Sequence, residues 1–338
     1  MSAAYLNLFE KKILLAPLDW GLGHAARCVP LVKRLQEQNN RFVIPCTEQQ
    51  KNFLQQELTD VEYVDLFGYN ISYSNILPLW IKILIQLPKL SSVVRKENKW
   101  LTNYLKKNKI DIVISDNRFG FYNKSVESIF ITHQLNIQAP VFNKAINRIN
   151  NSFIKKYDKC WVPDCVEKEK RLSGVLSNYN KQLLNIEFIE PLSRFKKVEL
   201  QQKQYDVLIL LSGPEPQRTL LEEKLVIAFL NTSYTIALVR GSTTRLQRKL
   251  PSNIVVVDMA SSKQLQELFN SSNKIICRSG YSTLMDLYIL DLKALLIPTP
   301  GQTEQEYLAG YWQEKFGCTS IEQKHITKES IESFMKET

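Results

Sequence analysis

The chain has 338 residues, 44% hydrophobic and 23% charged, a globular composition with length enough for two domains. Its net charge of +10 favours anionic partners. The cations fall in short solvated runs such as Lys106-Lys107 and Lys196-Lys197, with no zinc-finger spacing and no aromatic-basic pattern, so no nucleic acid is expected as a partner.

In chain order, Met1 to Lys12 lacks the apolar core of a signal peptide, and no run of 18 apolar residues follows anywhere. None of the six cysteines forms a C-x-x-C pair, so reduced, cytoplasmic thiols are expected, several of them in apolar runs. A strand at Ile13 to Pro17 leads into a glycine loop, and Val29, Leu31, Val32 and Leu35 recur at helical spacing to about Gln38. Strands are then expected at Arg41 to Cys46, Val61 to Leu66, Asp111 to Ser115, Ser128 to Thr132 and Lys159 to Val162. Helices are expected at Glu48 to Glu57, Ser92 to Lys107 and Phe142 to Lys156. A polar, weakly patterned stretch follows from about Glu167 to Gln204, its best linker candidate being Leu192 to Gln204. A second series opens with a strand at Asp206 to Leu211, a helix at Glu215 to Phe229 and strands at Tyr234 to Val239 and Ile254 to Val257. It continues with a helix at Ser262 to Asn270, a strand at Lys274 to Cys277, a helix at Tyr281 to Leu290, a strand at Ala294 to Ile297 and a helix at Thr303 to Phe316. Strand and helix alternating through two halves predict two doubly wound, Rossmann-like α/β domains, 1–195 and 196–338, whose ligand-binding edges face each other across a cleft. The last helix is left free to pack back on the N-terminal domain.

Four constellations carry chemistry. The first is Gly21-Leu22-Gly23-His24-Ala25-Ala26-Arg27, a loop opening a helix, where glycine lets backbone approach a ligand and the helix N-terminus suits an anion. An imidazole at that junction, His24, can take a proton from a substrate hydroxyl near neutral pH; alternatively His24 caps the helix and Arg27 pairs with a carboxylate. Asp19, in the same loop, is a second candidate base, an orienter of His24, or a turn residue. The second constellation is Ser212-Gly213-Pro214, after the first strand of the second half, where a hydroxyl and backbone N–H groups can meet a phosphate. The third is Arg278-Ser279-Gly280-Tyr281-Ser282-Thr283, a strand end passing at once into a helix N-terminus that can stabilise a leaving diphosphate, with Asp286 placed to accept from ribose hydroxyls. The fourth is the loop after Pro298, whose Gln302, Gln305 and Glu306 can hydrogen-bond a sugar.

The run from Cys277 to Ala309 resembles the donor-binding signature of MurG-like GT-B glycosyltransferases of family 28. Ser279-Gly280 matches the family's Ser-Gly; Asp286 stands where the family usually has Glu, and Gln305-Glu306 where it often has Gln-Gln. The G-x-G-H-x-x-R loop is similar to that of a less characterised branch of the same superfamily. Gly23-His24 and Arg27-Cys28 are similar to the Gly-His and Arg-Cys of the UDP-sugar hydrolase of pseudaminic acid synthesis. The resemblance implies an inverting, metal-independent transfer from a nucleotide sugar that is a substrate and not a cofactor, UDP-linked in that family's pattern and open to an N-acetylhexosamine. The chain accordingly contains no D-x-D motif. It further implies an acceptor in cell-envelope or surface glycan synthesis, a glycan or a lipid-linked molecule.

Acceptor-side candidates are Gly21, Gly23, Arg27, Asn117, Arg118 and His133, the last three at carboxyl ends of strands. The apolar segment Ile76 to Leu87 reads either as a helix closing the N-terminal domain or as a patch for the inner face of the cytoplasmic membrane. His325, in a polar tail, reads as a surface residue. Two rivals to the transferase stand beside it, a UDP-sugar hydrolase of the same fold and a non-catalytic nucleotide-sugar sensor.

Overall fold

The computed structural model describes residues 8–68, 87–139, 142–179, 185–198, 202–242, 244 and 250–337. These fall into two compact units, one ending at Arg194 and one beginning at Phe195.

The N-terminal unit opens with strand β1 (Lys12–Pro17), helix α1 (Leu22–Gln36), β2 (Arg41–Cys46), α2 (Glu48–Glu57) and β3 (Val61–Asp65). Helix α3 (Leu87–Lys107), β4 (Ile112–Asp116), β5 (Glu127–Ile131), α4 (Asn143–Ile154), β6 (Lys159–Val162) and β7 (Ile186–Phe188) follow. The strands form one parallel sheet in the order β3-β2-β1-β4-β5-β6-β7. Ile13, Leu14, Leu15 and Ala16 are all fully buried, so side chains on both faces of β1 are covered, as a parallel sheet requires. Each such aliphatic residue contributes roughly 1.5–3 kcal/mol of burial free energy.

The C-terminal unit repeats the plan: β8 (Tyr205–Leu210), α5 (Gln217–Ala228), β9 (Ile236–Val239), β10 (Ile254–Val257), α6 (Ser262–Ser271) and β11 (Ser272–Cys277). Then come α7 (Tyr281–Leu290), β12 (Leu295–Leu296), α8 (Thr303–Phe316), β13 (Thr319–Ser320) and α9 (Lys328–Lys336). Its parallel sheet runs β10-β9-β8-β11-β12-β13. The two sheets and their helices make the fold α/β in both halves.

In each sheet the winding direction reverses once, between β1 and β4 in the first and between β8 and β11 in the second. Loops leaving neighbouring strands there diverge to opposite faces and open a crevice at the carboxyl edge, the position where doubly wound sheets bind ligands.

Several elements differ from expectation. Helix α3 begins five residues before Ser92, at Leu87, with Pro88 in the first turn where its missing N–H costs nothing. The stretch read as weakly patterned contains β7, a three-residue edge strand paired to β6 through Cys160 and Ile186. The tail read as polar forms α9, started by a reciprocal Thr327–Ser330 cap. Ile331 and Phe334 of α9 are buried in the core of its own unit, beside Val207 and Leu225. His325 is exposed, and all six cysteines are buried and free. No described helix is long and apolar enough to cross a membrane. The apolar segment 76–86 lies outside the described residues.

Candidate active site

At the first reversal point, Pro17 ends β1 in register with Asp116, the last residue of β4, which in turn is in register with Ile131 of β5. The β1 chain then turns through Gly21, whose φ of 88° is left-handed and free of steric cost only for glycine. Added carbon at its Cβ position would meet nothing within 4 Å. Helix α1 starts at once, so His24 lies in its first turn, with exposed Gly23 before it.

His24 Nδ1 lies 2.9 Å from Asp116 Oδ2. Asp116 is fully buried; Arg27 Nε reaches both its oxygens at 3.0 Å, and Arg27 Nη2 makes a further short ion pair to Oδ1. With its amide nitrogen turned toward Thr132 Oγ1 (2.9 Å) and the Ile131 carbonyl (3.3 Å), Asn117 accepts from Arg27 Nη2 at 3.1 Å. His133 is buried and close enough to His24 to lower its proton affinity. His24 and Arg27 of α1 thus meet Asp116 directly, Asn117 joins them through Arg27, and His133 lies near His24.

Electrostatics assign the protons. Burial opposes charge on Asp116, yet the Arg27 guanidinium and the His24 contact overcome it and hold the carboxyl at about 2. Nδ1 of His24 lies 2.9 Å both from Asp116 Oδ2, an ionised carboxylate that only accepts, and from Arg27 Nη2, which only donates; the tautomer protonated at Nδ1 satisfies the carboxylate and leaves the Nε2 lone pair as the basic atom. Burial, then the Arg27 charge, lower the His24 pKa against the pull of Asp116. The ring, 18% exposed, is therefore neutral near pH 7 and available to a proton donor.

Asp19 and Arg118 belong to a different network. Arg118 is fully buried, donating to Glu97 Oε1 (2.8 Å), the Pro17 carbonyl (2.8 Å) and Asp19 Oδ1 (3.2 Å). Asp19 thus pairs with Arg118, while the carboxylate at His24 Nδ1 is that of Asp116. Asp116 is the site residue that sequence reasoning passed over; its position at a carboxyl strand end beside Asn117 was the available signal.

At the second reversal point, β8 and β11 end in register at Leu210 and Cys277. Gly213 follows β8 with φ 103°, beside half-buried Ser212, and its Cβ position would lie 3.7 Å from Thr299 Oγ1. After β11, Arg278 and Ser279 are fully buried and point into the protein; Ser279 Oγ donates to the Gln305 carbonyl at 2.8 Å. What they leave at the edge is backbone: Gly280 caps α7, and carbon at its Cβ position would meet nothing within 4 Å. Tyr281 is buried, while Ser282, Thr283 and, one turn on, Asp286 are half-buried. The N–H groups of this first turn carry the positive end of the helix dipole.

The fourth loop is braced by the residues expected to touch a sugar. Gln305 accepts from Thr299 N at 2.9 Å and donates to Gln302 Oε1 at 2.5 Å, and Glu306 accepts from Gly301 N at 2.9 Å. Among the described residues no three His, Cys, Asp or Glu side chains gather to hold a metal ion.

Two parallel-sheet units with crevices of this kind define a GT-B glycosyltransferase fold, and the comparisons agree. Residues 217–338 match the glycosyltransferase family 28 C-terminal domain. The UDP-N-acetylglucosamine--N-acetylmuramyl-(pentapeptide) pyrophosphoryl-undecaprenol N-acetylglucosamine transferase of Desulforudis audaxviator is 33% identical over 93 residues, covering 27% of this chain and 23% of that relative. The match therefore spans under a quarter of that enzyme's length. In fold, the chain is similar to Arabidopsis thaliana UGT89C1 complexed with UDP-L-rhamnose, with a TM-score of 0.67 at 12% identity, over 98% of this chain and 90% of the other. It is also similar to Phytolacca americana UGT2 complexed with UDP-2-fluoro-glucose and pterostilbene, with a TM-score of 0.65 at 13% identity, over 96% and 90%. Together these findings show a GT-B fold whose C-terminal part, residues 217–338, is similar to the family 28 C-terminal domain.

Proposed function

We propose that the chain transfers a sugar, in the N-acetylhexosamine class, from a UDP-sugar to a hydroxyl acceptor of cell-envelope or surface glycan synthesis, with inversion and without a metal ion. The observation that carries this reading is the His24–Asp116 pair at a sheet reversal point, a neutral imidazole with its second nitrogen basic. In this reading Nε2 of His24 takes the acceptor's hydroxyl proton as its oxygen attacks the anomeric carbon. The bond from that carbon to the UDP oxygen breaks, and the electron pair leaves on the diphosphate. Amides at the start of α7 stabilise that developing charge, the service a metal ion gives elsewhere. Asp116 stabilises the imidazolium formed in the step.

The names of the similar proteins support a UDP-linked donor, since one is a UDP-N-acetylglucosamine-using transferase and two others are complexed with UDP-sugars. The undecaprenol substrate in the first name, with the apolar segment 76–87, supports a lipid-linked acceptor met at a membrane surface.

The test is a melting-temperature screen with UDP, UDP-N-acetylglucosamine and UDP-glucose, then UDP release with and without candidate acceptors in the presence of EDTA. The expected result is stabilisation by UDP and acceptor-dependent release. His24→Ala should keep UDP binding and lose roughly 10²–10⁴-fold in turnover. A chain that no uridine nucleotide stabilises refutes the reading; rapid sugar release to water alone marks the hydrolase, and binding untouched by turnover marks the sensor.

A further inference from the structure

Among the described residues five arginines are buried: Arg27, Arg118, Arg218, Arg240 and Arg278. Four of them face carboxylates. Arg27 pairs with Asp116, Arg118 with Glu97 and Asp19, and Arg218 and Arg240 share Glu222. This is what burial demands, because a desolvated charge without a countercharge costs several kcal/mol.

Arg278 departs from the pattern. It has no exposed surface, and its guanidinium meets only neutral oxygens. Nη1 donates to the carbonyls of Ile297 (3.2 Å) and Pro298 (3.0 Å). Nη2 donates to the Gln217 carbonyl (2.8 Å) and to Gln323 Oε1 (2.7 Å). Nε has no hydrogen-bond partner. No acid among the described residues makes an ion pair with it, and burial alone pulls its pKa down to about 10. Its surroundings add positive potential. Gln217, which binds it, is the first residue of α5, and α7 begins three residues after it at Tyr281, so two helix N-termini lie at the same sheet edge. A buried cation that makes no ion pair among the described residues thus lies by two helix N-termini, while Glu215, at the start of α5, pairs with Arg218 instead.

We propose that Arg278 is the buried countercharge for the donor's diphosphate, a positioning residue that acts through its field on phosphates held at the Gly280–Thr283 amides without touching them. The inference rests on the nucleotide-sugar reading above. It explains why the site tolerates an uncompensated cation: the missing negative charge arrives with the ligand, and the same field favours the more highly charged leaving group. A merely structural arginine, kept for its four hydrogen bonds, would give diphosphate affinity no such dependence.

Gln323 offers the discriminating substitution. Gln323→Glu is nearly isosteric and sets a carboxylate against Nη2, supplying internally the charge that the ligand would bring. The Gln217 amide, 3.1 Å from Gln323 Nε2, can turn to donate to it. Calorimetry with UDP and with uridine, together with melting temperatures, reads the outcome. The expected result for Gln323→Glu is a melting temperature at or above that of the original chain. UDP affinity should fall about tenfold or more and uridine affinity stay within about twofold, because a unit charge at an effective dielectric of about 20 still acts over many ångströms. Arg278→Gln should show the same loss selective for UDP. A lowered melting temperature for Gln323→Glu, or unchanged UDP affinity in a folded variant, overturns the inference. Failure of the original chain to bind UDP overturns the functional reading instead, and this inference with it, and is seen before any variant is made.

Discussion

Nδ1 of His24 and Oδ2 of Asp116 lie 2.9 Å apart, although 92 residues separate them along the chain. The contact exists because β1 and β4 are adjacent in the sheet while β2 and β3 are laid down on the other side. A helix starting one short loop after β1 then drops its first-turn imidazole onto the end of β4. The same carboxylate also satisfies Arg27, so the group that orients the base is part of the fold's own ionic core.

Asp116→Asn should therefore damage both stability and turnover. It removes the Asp116 countercharge of Arg27, whose side chain is 3% exposed, at a cost of about 3–5 kcal/mol. It also weakens the orientation and basicity of His24, with turnover expected to fall about 10²-fold or more. Urea unfolding and UDP release measured on the same preparation check both effects. Unchanged turnover in a folded variant would contradict the role given to Asp116.

Acid sensitivity should come in two windows. The folded His24 resists protonation because burial and Arg27 disfavour the imidazolium, whereas the unfolded ring takes a proton near 6.5. Below that pH the unfolded state binds the extra proton, so stability declines as the pH drops. Asp116 behaves in the usual carboxylate sense. Its contribution is full above the unfolded value near 3.8, on the order of 2 kcal/mol, and is lost as pH falls toward about 2. Urea midpoints measured from pH 8 to pH 3 should show the upper decline disappear in His24→Ala and the lower one shrink in Asp116→Asn.

The Arg118 network should prove structural in its response. Arg118→Met removes the guanidinium that pairs with the buried Glu97 carboxylate, at a cost of about 3–5 kcal/mol. Gly120 is held to glycine by close packing: carbon at its Cβ position would lie 2.5 Å from Glu97 Cβ and still closer to the Val94 carbonyl. Gly120→Ala must displace α3 and should cost about 1–3 kcal/mol. Thermal unfolding measures both, and a stable Arg118→Met variant with raised acceptor KM would instead restore Arg118 to the acceptor site.

Much of the architecture was legible along the chain because local signals were strong. The ends of α2, α7 and α8 coincide with expectation, since Thr47 caps the first, Gly280 precedes the second, and Gly317 closes the third in a left-handed conformation. Elements without such signals escaped. Strand β7 has three half-buried residues and no apolar run, and it exists because β6 offers it an edge. The Thr327–Ser330 cap before Ile331 and Phe334 was a readable start for α9, masked by the polar composition around it.

Among the site residues, His24 and Gly280 could be singled out from their neighbours alone, because a loop that opens a helix is a local arrangement with local chemistry. Asp19 and Arg118 could not be placed that way: each carries a charge whose partner is distant in the chain, and only the folded structure shows them paired with each other.

By itself, the order of residues determined two strand-and-helix series, the glycine loops and the helix starts, because hydrophobic periodicity and capping act over a few residues. Tertiary structure alone decided that Asp116 pairs with His24 and Asp19 with Arg118, and that Arg278 is, among the described buried arginines, the one without a carboxylate. Charge pairing depends on distances of a few ångströms, and those are set by the strand order and by which side chains burial strips of water.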